Sequence, residues 1–398
     1  MNATLELQLR FVSKKLRSTL TQRDSESVFD KTALEDLGRI GLFQLPVAQA
    51  ARAFHSLGLN SQDIPFGVSC VAQYIAVELL SRFGSAPQKE KYLAGLVSGR
   101  QIAAICNSEA GAGTDVRAIC SQGTVTGRTI ALNIEKRGAT NLSMADLLIC
   151  SVWKHGAGPK PALEVMLIDA KLATQVSFNG KLAGFKTGLT GSASAHGLSL
   201  SLDDAQLGGD FIGFGILRHC FNLERLLISS LIAGCLESAA QEGAKHILTQ
   251  QSFGKPLAEH QYVQDKIVTI FGAGRRLSTL VTALNSGEGE ITPESLAKRT
   301  KDLALLKLAT IDEGFAGFNA YLELCGFVGY TQNHAAQKFV RDHMALRMLG
   351  GTKEQQKILL FGEVLEEIKN ANQIQEDIKK MMEERKGARD ETESTQVS

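Results

Sequence analysis

The spacing of apolar residues changes twice along this chain, and these changes constrain the fold more than any other feature. Over 1–100, apolar residues recur at helical spacing, as in Leu34, Leu37 and Ile40, which predicts amphipathic helices. Over 101–207 they occur in short runs separated by Gly, Pro, Asn and Asp, which predicts β-strands. Helical spacing then returns. The sequence therefore predicts a mostly α protein with a β domain between two helical domains.

These changes divide the chain into four segments. We expect an N-terminal helical domain over 1–100, a middle β domain over 101–207 and a C-terminal helical domain over 208–372. A polar, partly disordered tail is expected over 373–398, because its composition buries too little apolar surface to offset the entropy of ordering. Its last residues, about ten, are expected to be disordered. The predicted strands are 124–133, 145–153, 162–170, 175–178 and 196–202.

Composition limits the partners and the compartment. Lys and Arg number 43 against 42 Asp and Glu, so no overall field attracts nucleic acid or an anionic membrane. No run reaches the ~18 apolar residues that span a bilayer, and the N-terminus lacks the apolar core of a secretion signal. The seven cysteines are widely spaced without a C-x-x-C pair, which is typical of a reduced cytoplasmic protein. We expect a cytoplasmic protein with no membrane span and no nucleic-acid partner.

Two polar segments of the β domain have a composition that suits a bound cofactor. Ser108–Asp115 reads Ser-Glu-Ala-Gly-Ala-Gly-Thr-Asp, and its glycines allow close backbone approach while its hydroxyls can bond a phosphate or a polar ring edge. Lys136–Asn141 ends a predicted strand and offers Thr140 and Asn141 beyond the sheet. Taken singly, each segment is also explained as a turn, and neither is a Walker loop or a G-x-G-x-x-G fingerprint.

Glu224 is a third candidate, on a predicted helix of the C-terminal domain. It is bordered by Leu223, Leu226 and Leu227, and poor solvation there would raise its proton affinity toward that of a general base. The adjacent Arg225 acts in the opposite direction. An acid in a first helical turn is also favourable against the helix dipole, so the residues alone leave catalytic and structural roles open.

Together with three C-terminal segments, these patterns resemble the acyl-CoA dehydrogenase family. Ser108–Asp115 resembles the family's Thr-Glu-Pro-Gly-Ala-Gly-Ser-Asp, and Lys136–Asn141 resembles its Lys-x-aromatic-Ile-Thr-Asn. The remaining matches are Gln250–Pro256 to Arg-x-x-Phe-Gly-Lys-Pro, Gln261 to a Gln shortly after it, Gly326–Tyr330 to Gly-x-x-Gly-Tyr, and Arg341, Asp342, Gly351 and Thr352 to Arg-Asp followed by Gly-Thr. The resemblance covers roughly 41–365, and the shared order of several weak motifs makes it specific.

The resemblance implies a fold, a cofactor and a reaction. It implies an N-terminal helical domain, a middle β domain and a C-terminal four-helix bundle domain, assembled as a homodimer or homotetramer. It also implies FAD and the α,β-dehydrogenation of an acyl thioester, carried by CoA or by an acyl carrier protein. In such enzymes a carboxylate removes the α proton while the β hydrogen leaves as hydride to the flavin. The residues that it assigns to FAD are Cys106, Ser108, Thr114, Thr140, Asn141, Gln250, Phe253, Gln261, Glu323, Gly326, Thr352 and Glu354.

The chain departs from the family at the usual catalytic base. Many members carry a Glu immediately before the Gly-Thr pair, where this chain has Gly350, which cannot accept a proton. A smaller group, resembling isovaleryl- and long-chain acyl-CoA dehydrogenases, carries the base immediately before an Arg on the helix that follows the β domain. The resemblance thus implies that Glu224 is the base, with Arg225 and Gly350 at the substrate.

Three further departures concern cofactor contacts. Gly138 replaces an aromatic residue that flanks the flavin, Gln250 replaces an Arg, and Glu323 replaces a Gln. Losing one charge-assisted hydrogen bond costs about 1.5–3 kcal/mol, so we expect FAD to bind weakly. Such divergence suits a specialised enzyme, for instance one acting on a carrier-bound acyl group in secondary metabolism.

Two other functions remain open at this stage. The first is a flavin-dependent monooxygenase or oxidase on the same fold, which is compatible with Gly350 and Gly138. The second is a non-catalytic relative that binds a partner or an acyl thioester without turning it over. The histidines show no H-E-x-x-H or other ligand spacing, so we expect no metal site.

Overall fold

The computed structural model describes residues 3–113, 115–178, 180–286 and 291–395. Helices come first, a sheet follows, and helices complete the chain, so the predicted fold class is confirmed.

Six helices form the N-terminal domain. They are α1 (Ala3–Ser18), α2 (Leu20–Glu26), α3 (Lys31–Arg39), α4 (Val47–Ser61), α5 (Ile64–Phe83) and α6 (Ala86–Val97). Helix α5 is apolar on nearly all sides and lies in the core. Its N-terminus is capped by Asp63, whose carboxylate accepts a hydrogen bond from the Phe66 amide at 3.4 Å.

Seven strands form the sheet of the middle domain. They are β1 (Ala103–Cys106), β2 (Gln122–Thr126), β3 (Thr129–Ala139), β4 (Leu147–His155), β5 (Ala162–Asp169), β6 (Thr174–Ser177) and β7 (Gly191–Ser201). Their order is β1-β4-β2-β3-β7-β6, with β5 pairing with β4; β4 runs parallel to β1 and β2, and the other pairs are antiparallel.

One predicted strand proves to be a hairpin. The run 124–133 contains the end of β2 and the start of β3, which turn back at Gly127. This glycine has φ of +62°, a left-handed conformation that a glycine adopts without a Cβ penalty. The apolar alternation is interrupted over 126–129 and resumes at Ile130, so the interruption marks the reversal that the single predicted strand overlooked.

Among the residues that the structure describes, the C-terminal domain contains four long helices. The short helix α7 (Leu202–Ala205) packs on the sheet and ends the middle domain. The C-terminal elements are α8 (Gly213–Thr249), β8 (Gln251–Ser252), β9 (Lys255–Pro256), α9 (Gln261–Asn285), α10 (Pro293–Lys298), α11 (Thr300–Gly329), α12 (Ala335–Ala345) and α13 (Lys353–Thr395). Helices α8, α9 and α11 pack against one another, and α13 begins alongside α11.

The tail is helical over the residues that the structure describes. Helix α13 continues as far as Thr395, and disorder of the last ten or so residues stays a prediction. Every side chain from Phe361 to Met382 is exposed, so burial does not hold this stretch in a helix. Glu, Lys, Gln and Met are good helix formers, and this local preference accounts for the helix without tertiary packing.

Helix α8 packs closely against the N-terminal domain at two glycines, Gly58 and Gly234. A Cβ added to Gly58 of α4 would overlap the Leu231 carbonyl oxygen, and one added to Gly234 of α8 would overlap the His55 carbonyl oxygen. The α4 and α8 backbones therefore approach as closely as glycine allows. Nearby, Gly67 of α5 packs against the Leu231 side chain.

A buried ion network joins the first helices to α12. Asp63 binds Arg23 at 2.7 Å and Lys338 at 3.4 Å, and Lys338 also binds Asp342. Although burial disfavours its charge, Lys338 and Arg23 hold the pKa of Asp63 below its ordinary value. Asp342 also accepts a hydrogen bond from the Phe185 amide at 2.6 Å. Asp342, the Asp of the Arg-Asp motif, thus links α12 to the loop that contains Phe185.

Two described helices are long and apolar enough to cross a bilayer by length and composition. In α5, 83% of the apolar window is buried, as in a core helix of a folded domain, whereas in α9 the figure is 28%. This is weak support for a membrane span. The absence of a span stays a prediction.

Candidate active site

A cavity of about 950 Å³ opens between the N-terminal domain, the β domain and the C-terminal helices. Its apolar wall comes from α5 and α8, including Val71, Ile75, Leu217 and Ile228. Its polar groups come from the loop after β1, from the end of β3, from α8 and from the loop before α13. These polar residues include Asn107, Ser108, Arg117, Arg137, Thr140, Arg218, Asn222, Glu224, Arg225, Thr300, Thr352 and Gln355.

Glu224 and Gly350 are neighbours in this cavity, although 126 positions separate them in the sequence. A Cβ added to Gly350 would lie 3.2 Å from both Cδ and Oε2 of Glu224. Gly350 and Gly351 both have positive φ, +66° and +87°, so this turn favours glycine. The structure thus places the candidate base beside the position at which many family members carry theirs.

The surroundings of Glu224 combine burial with two cations. Burial raises the pKa of Glu224, while Lys307 and, more weakly, Arg225 oppose that rise. The side chain lines the cavity, so its carboxylate is open to a bound molecule. Sequence reasoning identified Arg225 but missed Lys307, because Lys307 lies on a helix distant in sequence and carries no local motif.

Arg225 is a buried cation on the cavity wall. Its exposed fraction is 7%, and its Nη1 donates a hydrogen bond to Asn222 Oδ1 at 3.1 Å. Among the residues that the structure describes, its Nε has no hydrogen-bond partner. Burial lowers the pKa of Arg225, and Glu224 acts in the opposite direction. A buried donor that lacks a hydrogen bond costs free energy, so the Nε of Arg225 fits the predicted substrate-binding role.

The loop after β1 is held by a buried ion pair. Glu109 accepts from Lys136 Nζ at 2.7 Å, from the Cys120 amide at 2.6 Å and from the Ser121 amide at 3.1 Å. Burial disfavours the charge of Glu109, but Lys136 and these donors hold its pKa below the ordinary value. The second residue of the Ser-Glu motif therefore orders the loop that carries Ser108.

The polar end of the cavity fits a flavin. Asn107 Oδ1 is buried and has no partner among the described residues, so it can accept from a ring N–H. Ser108 and Thr140 line the same region, and Ser108 Oγ donates to the Gly113 carbonyl at 3.3 Å. Gly138 has φ of +74°, and no atom lies within 4 Å of an added Cβ, so a planar ring has room beside it. Sequence reasoning did not identify Asn107.

Two predicted cofactor residues point elsewhere. The Cys106 side chain packs in the core of the β domain, while the neighbouring Ile105 lines the cavity, because successive residues of a strand face opposite sides. Asn141 is buried, and its Nδ2 donates to the Ser69 carbonyl at 3.0 Å and to the Ala103 carbonyl at 3.1 Å. These side chains stabilise the fold where the domains meet, and Thr114 lies outside the described residues.

Most of the other predicted cofactor residues lie outside the cavity. Thr352 lines the cavity, whereas Glu354 is exposed on the first turn of α13. Phe253 is 97% exposed in the turn between β8 and β9, and Glu323 pairs with Lys266. Residues of this group that do not line the cavity are Gln250, Phe253, Gln261, Glu323, Gly326 and Glu354. Within one chain, the structure does not bring them to Glu224.

The described residues contain no cluster of His, Cys, Asp or Glu that could hold a metal ion. The absence of a metal site in the protein remains a prediction.

The fold and the cavity define a protein with two helical domains around a sheet, and comparison with known proteins identifies its family. Family models of the N-terminal and C-terminal domains of acyl-CoA dehydrogenases match residues 3–100 and 212–364. The chain belongs to the acyl-CoA dehydrogenase family.

Individual relatives are distant but nearly complete in coverage. The mitochondrial short-chain specific acyl-CoA dehydrogenase of Rattus norvegicus is 23% identical over 371 residues, covering 89% of this chain and 87% of that protein. The mitochondrial isovaleryl-CoA dehydrogenase of Arabidopsis thaliana is 26% identical over 346 residues, covering 84% and 80%. The solved structure of the prolyl acyl carrier protein oxidase AnaB has the same fold, with a TM-score of 0.81 at 21% identity over 92% of this chain and 99% of that one.

Proposed function

We propose that the protein is an FAD-dependent enzyme that oxidises an acyl thioester by α,β-dehydrogenation, with Glu224 as the base. The observation that carries this proposal is the contact between Glu224 and Gly350 inside the cavity. Glu224, on α8, places its carboxylate beside position 350, where many family members carry the base. The resemblance of the Glu-Arg pair to that of the isovaleryl group supports the same assignment.

The chain's own residues account for the proton transfer. Burial raises the proton affinity of Glu224, which strengthens it as an acceptor of the α proton. Lys307 and, more weakly, Arg225 oppose this rise, which favours the ionised form of the carboxylate. When bound, FAD accepts the hydride that leaves the β carbon. Loss of the α proton and of this hydride leaves a double bond between the α and β carbons. The apolar wall of α5 and α8 excludes water from the acyl chain.

FAD is the proposed cofactor, held by few contacts within one chain. Asn107, Ser108 and Thr140 would hold the ring, and Thr352 also lines the cavity. Gly138, Gln250 and Glu323 replace groups that make favourable contacts in other members of the family. We therefore propose that FAD binds more weakly than in those relatives, and that the purified protein is partly free of it.

A homo-oligomer is the proposed assembly. Exposed aromatic and aliphatic side chains follow α8, begin α9 and end α11; they are Leu248, Phe253, Tyr262, Phe327, Val328 and Tyr330. The pair Lys266–Glu323 joins α9 to α11, which brings the start of α9 and the end of α11 to the same end of the bundle. An apolar face of this kind is typical of an interface between subunits. A neighbouring subunit would then supply those predicted FAD residues, such as Phe253, Gln261 and Gly326, that do not line the cavity of their own chain.

The proposed carrier of the acyl group is CoA or an acyl carrier protein, and the proposed location is the cytoplasm. The name of the structural neighbour AnaB supports the second carrier, and weak cofactor contacts suit a specialised enzyme of secondary metabolism. Turnover of matched CoA and carrier-protein thioesters distinguishes the two carriers. Oxygen consumption in the same assay identifies the alternative oxidase.

Replacing Glu224 by Gln tests the proposed function. The Gln side chain keeps the size of Glu but cannot take up the α proton. We expect Glu224→Gln to abolish bleaching of the flavin by the thioester under anaerobic conditions, while absorption spectra show that added FAD still binds. Undiminished bleaching in this variant would reject Glu224 as the base. A protein that takes up no FAD at all would favour the non-catalytic alternative.

A further inference from the structure

Helix α11 lies directly behind the candidate base. Two contacts fix it against α8: Asn222 Nδ2 donates to Thr300 Oγ1 at 2.9 Å, and the hydroxyls of Ser229 and Thr310 share a hydrogen bond at 2.6 Å. Both residue numbers increase from the first contact to the second, so the two helices run in the same direction. Glu224 lies between these contacts on α8, and Lys307 lies between them on α11.

The position of Lys307 along α11 brings its ammonium to the level of Glu224. Thr310, one turn beyond Lys307, meets Ser229, which is five positions beyond Glu224. Helical side chains lean toward the N-terminus of their helix, and a Lys side chain about 6 Å long spans roughly four residues at 1.5 Å each. The Lys307 ammonium therefore extends back along α11 toward the carboxylate.

Lys307 is a buried cation with few compensating groups. Its exposed fraction is 1%, and burying an ammonium without an opposite charge is strongly unfavourable. Burial lowers the pKa of Lys307 to about 8, while Glu224 opposes this shift. A neutral partner would not offset the cost of this charge, so the buried carboxylate and the buried ammonium stabilise each other.

The other titratable groups around Glu224 do not replace Lys307. Burial raises the pKa of Cys220 on α8 well above its ordinary value, so this thiol is neutral. Burial lowers the pKa of His343 on α12 to about 4, so this ring is neutral at pH 7. Arg225 is charged, but its Nη1 is engaged by Asn222.

We propose that Lys307 is a positioning residue that keeps Glu224 ionised and holds its carboxylate at the cavity wall from behind, across the contact between α8 and α11. Its importance for turnover rests on the proposed function, since it acts through the base. Its effect on the charge of Glu224 does not depend on that function.

The proposal is tested by titrating Glu224 itself in the full-length protein without substrate. With δ-¹³C-labelled glutamate, the Glu224 resonance is the one lost in Glu224→Gln, and its shift with pH gives its pKa. Lys307→Met removes the charge and keeps the bulk, so we expect the proton affinity of Glu224 to rise about tenfold or more, one pKa unit. Lys307→Arg should restore most of the wild-type titration.

Lys301→Met is the matched control on the same helix. Lys301 pairs with Glu367 on the surface, so its loss should leave the Glu224 titration unchanged. Coincident titration curves for the wild type and Lys307→Met would overturn the proposal. If Lys307→Met fails to fold, Lys307→Gln takes its place, since an amide also removes the charge and can still donate a hydrogen bond. A Glu224 titration in that variant that coincides with the wild type would overturn the proposal.

The same variants separate this inference from the proposed function. If both hold, the acid limb of the pH profile for flavin reduction moves upward in Lys307→Met, as the titration does. If Glu224→Gln still reduces flavin while Lys307→Met shifts the Glu224 pKa, the proposed function fails and the electrostatic role of Lys307 stands.

Discussion

At the scale of single residues, the acid and the glycine of this site form a matched pair. Gly350 lacks a side chain, and Glu224 lies beside the space that one would fill. A carboxylate can enter the cavity from position 224 or from position 350. A side chain at position 350 would crowd the Glu224 carboxylate, so an acid at position 224 favours a glycine at position 350.

Replacing Gly350 by Ala should disturb Glu224 directly. An added Cβ would lie 3.2 Å from its carboxylate, and a φ of +66° is strained for Ala by about 1–3 kcal/mol. The strain should lower the free energy of unfolding, and we expect flavin reduction to slow about tenfold because the added methyl group displaces the carboxylate. Stopped-flow reduction measures the effect. Gly362→Ala, at a helical position with no atom near an added Cβ, is the control, and equal rates in the two variants would contradict the expected crowding.

Sequence predicted part of this site and missed the rest for identifiable reasons. Glu224, Arg225 and Gly350 were predicted because the Glu-Arg and Gly-Thr patterns are local in sequence. Lys307 was missed because its relation to Glu224 exists only through the packing of α8 on α11. The Asn141 side chain was assigned to the cofactor, yet its donors satisfy two backbone carbonyls, and a motif does not show which way a side chain points.

At the scale of secondary structure, α8 is the element on which the site depends. It carries Glu224 and Arg225, and it packs against α4, α5, α9 and α11. Small residues make these contacts possible, of which Gly234 is the most restricted. The 37-residue length of α8 was only partly predictable, because a helix buried on all sides shows little apolar periodicity.

Two glycines of α8 should respond oppositely to the same substitution. In Gly234→Ala the new methyl group meets the His55 carbonyl, and such overpacking should lower the free energy of unfolding by about 1–3 kcal/mol. In Gly215→Ala no atom lies near the added Cβ, and Ala should stabilise the helix by about 0.5–1 kcal/mol. Urea unfolding followed by circular dichroism measures both, and a stable Gly234→Ala variant would show that α4 and α8 can separate without cost.

At the scale of the whole molecule, one end of the C-terminal domain exposes several large apolar side chains. Phe253, Tyr262 and Phe327 are 97%, 88% and 86% exposed at one end of the C-terminal domain. Several residues that the family resemblance assigns to FAD also lie outside the cavity that holds Glu224. One assembly contact would account for both observations.

Charges placed on this face should therefore separate the subunits. We expect Phe253→Asp combined with Phe327→Asp to convert a dimer or tetramer into a smaller species and to weaken FAD binding, because a carboxylate is costly to bury at an apolar interface. Light scattering coupled to size exclusion gives the mass. Leu7→Asp, on α1 and 70% exposed, is the control. An unchanged mass in the double variant would place the interface elsewhere.

The close joint between α4 and α8 has a mechanical consequence. Because their backbones touch at glycines, the first domain cannot slide along α8 without lifting away from it. On the same helix, Glu224 lies about two to three turns before Leu231 and Gly234, which contact α4, at 3.6 residues per turn. The amino-terminal domain therefore holds the proposed proton acceptor at a fixed position through α8.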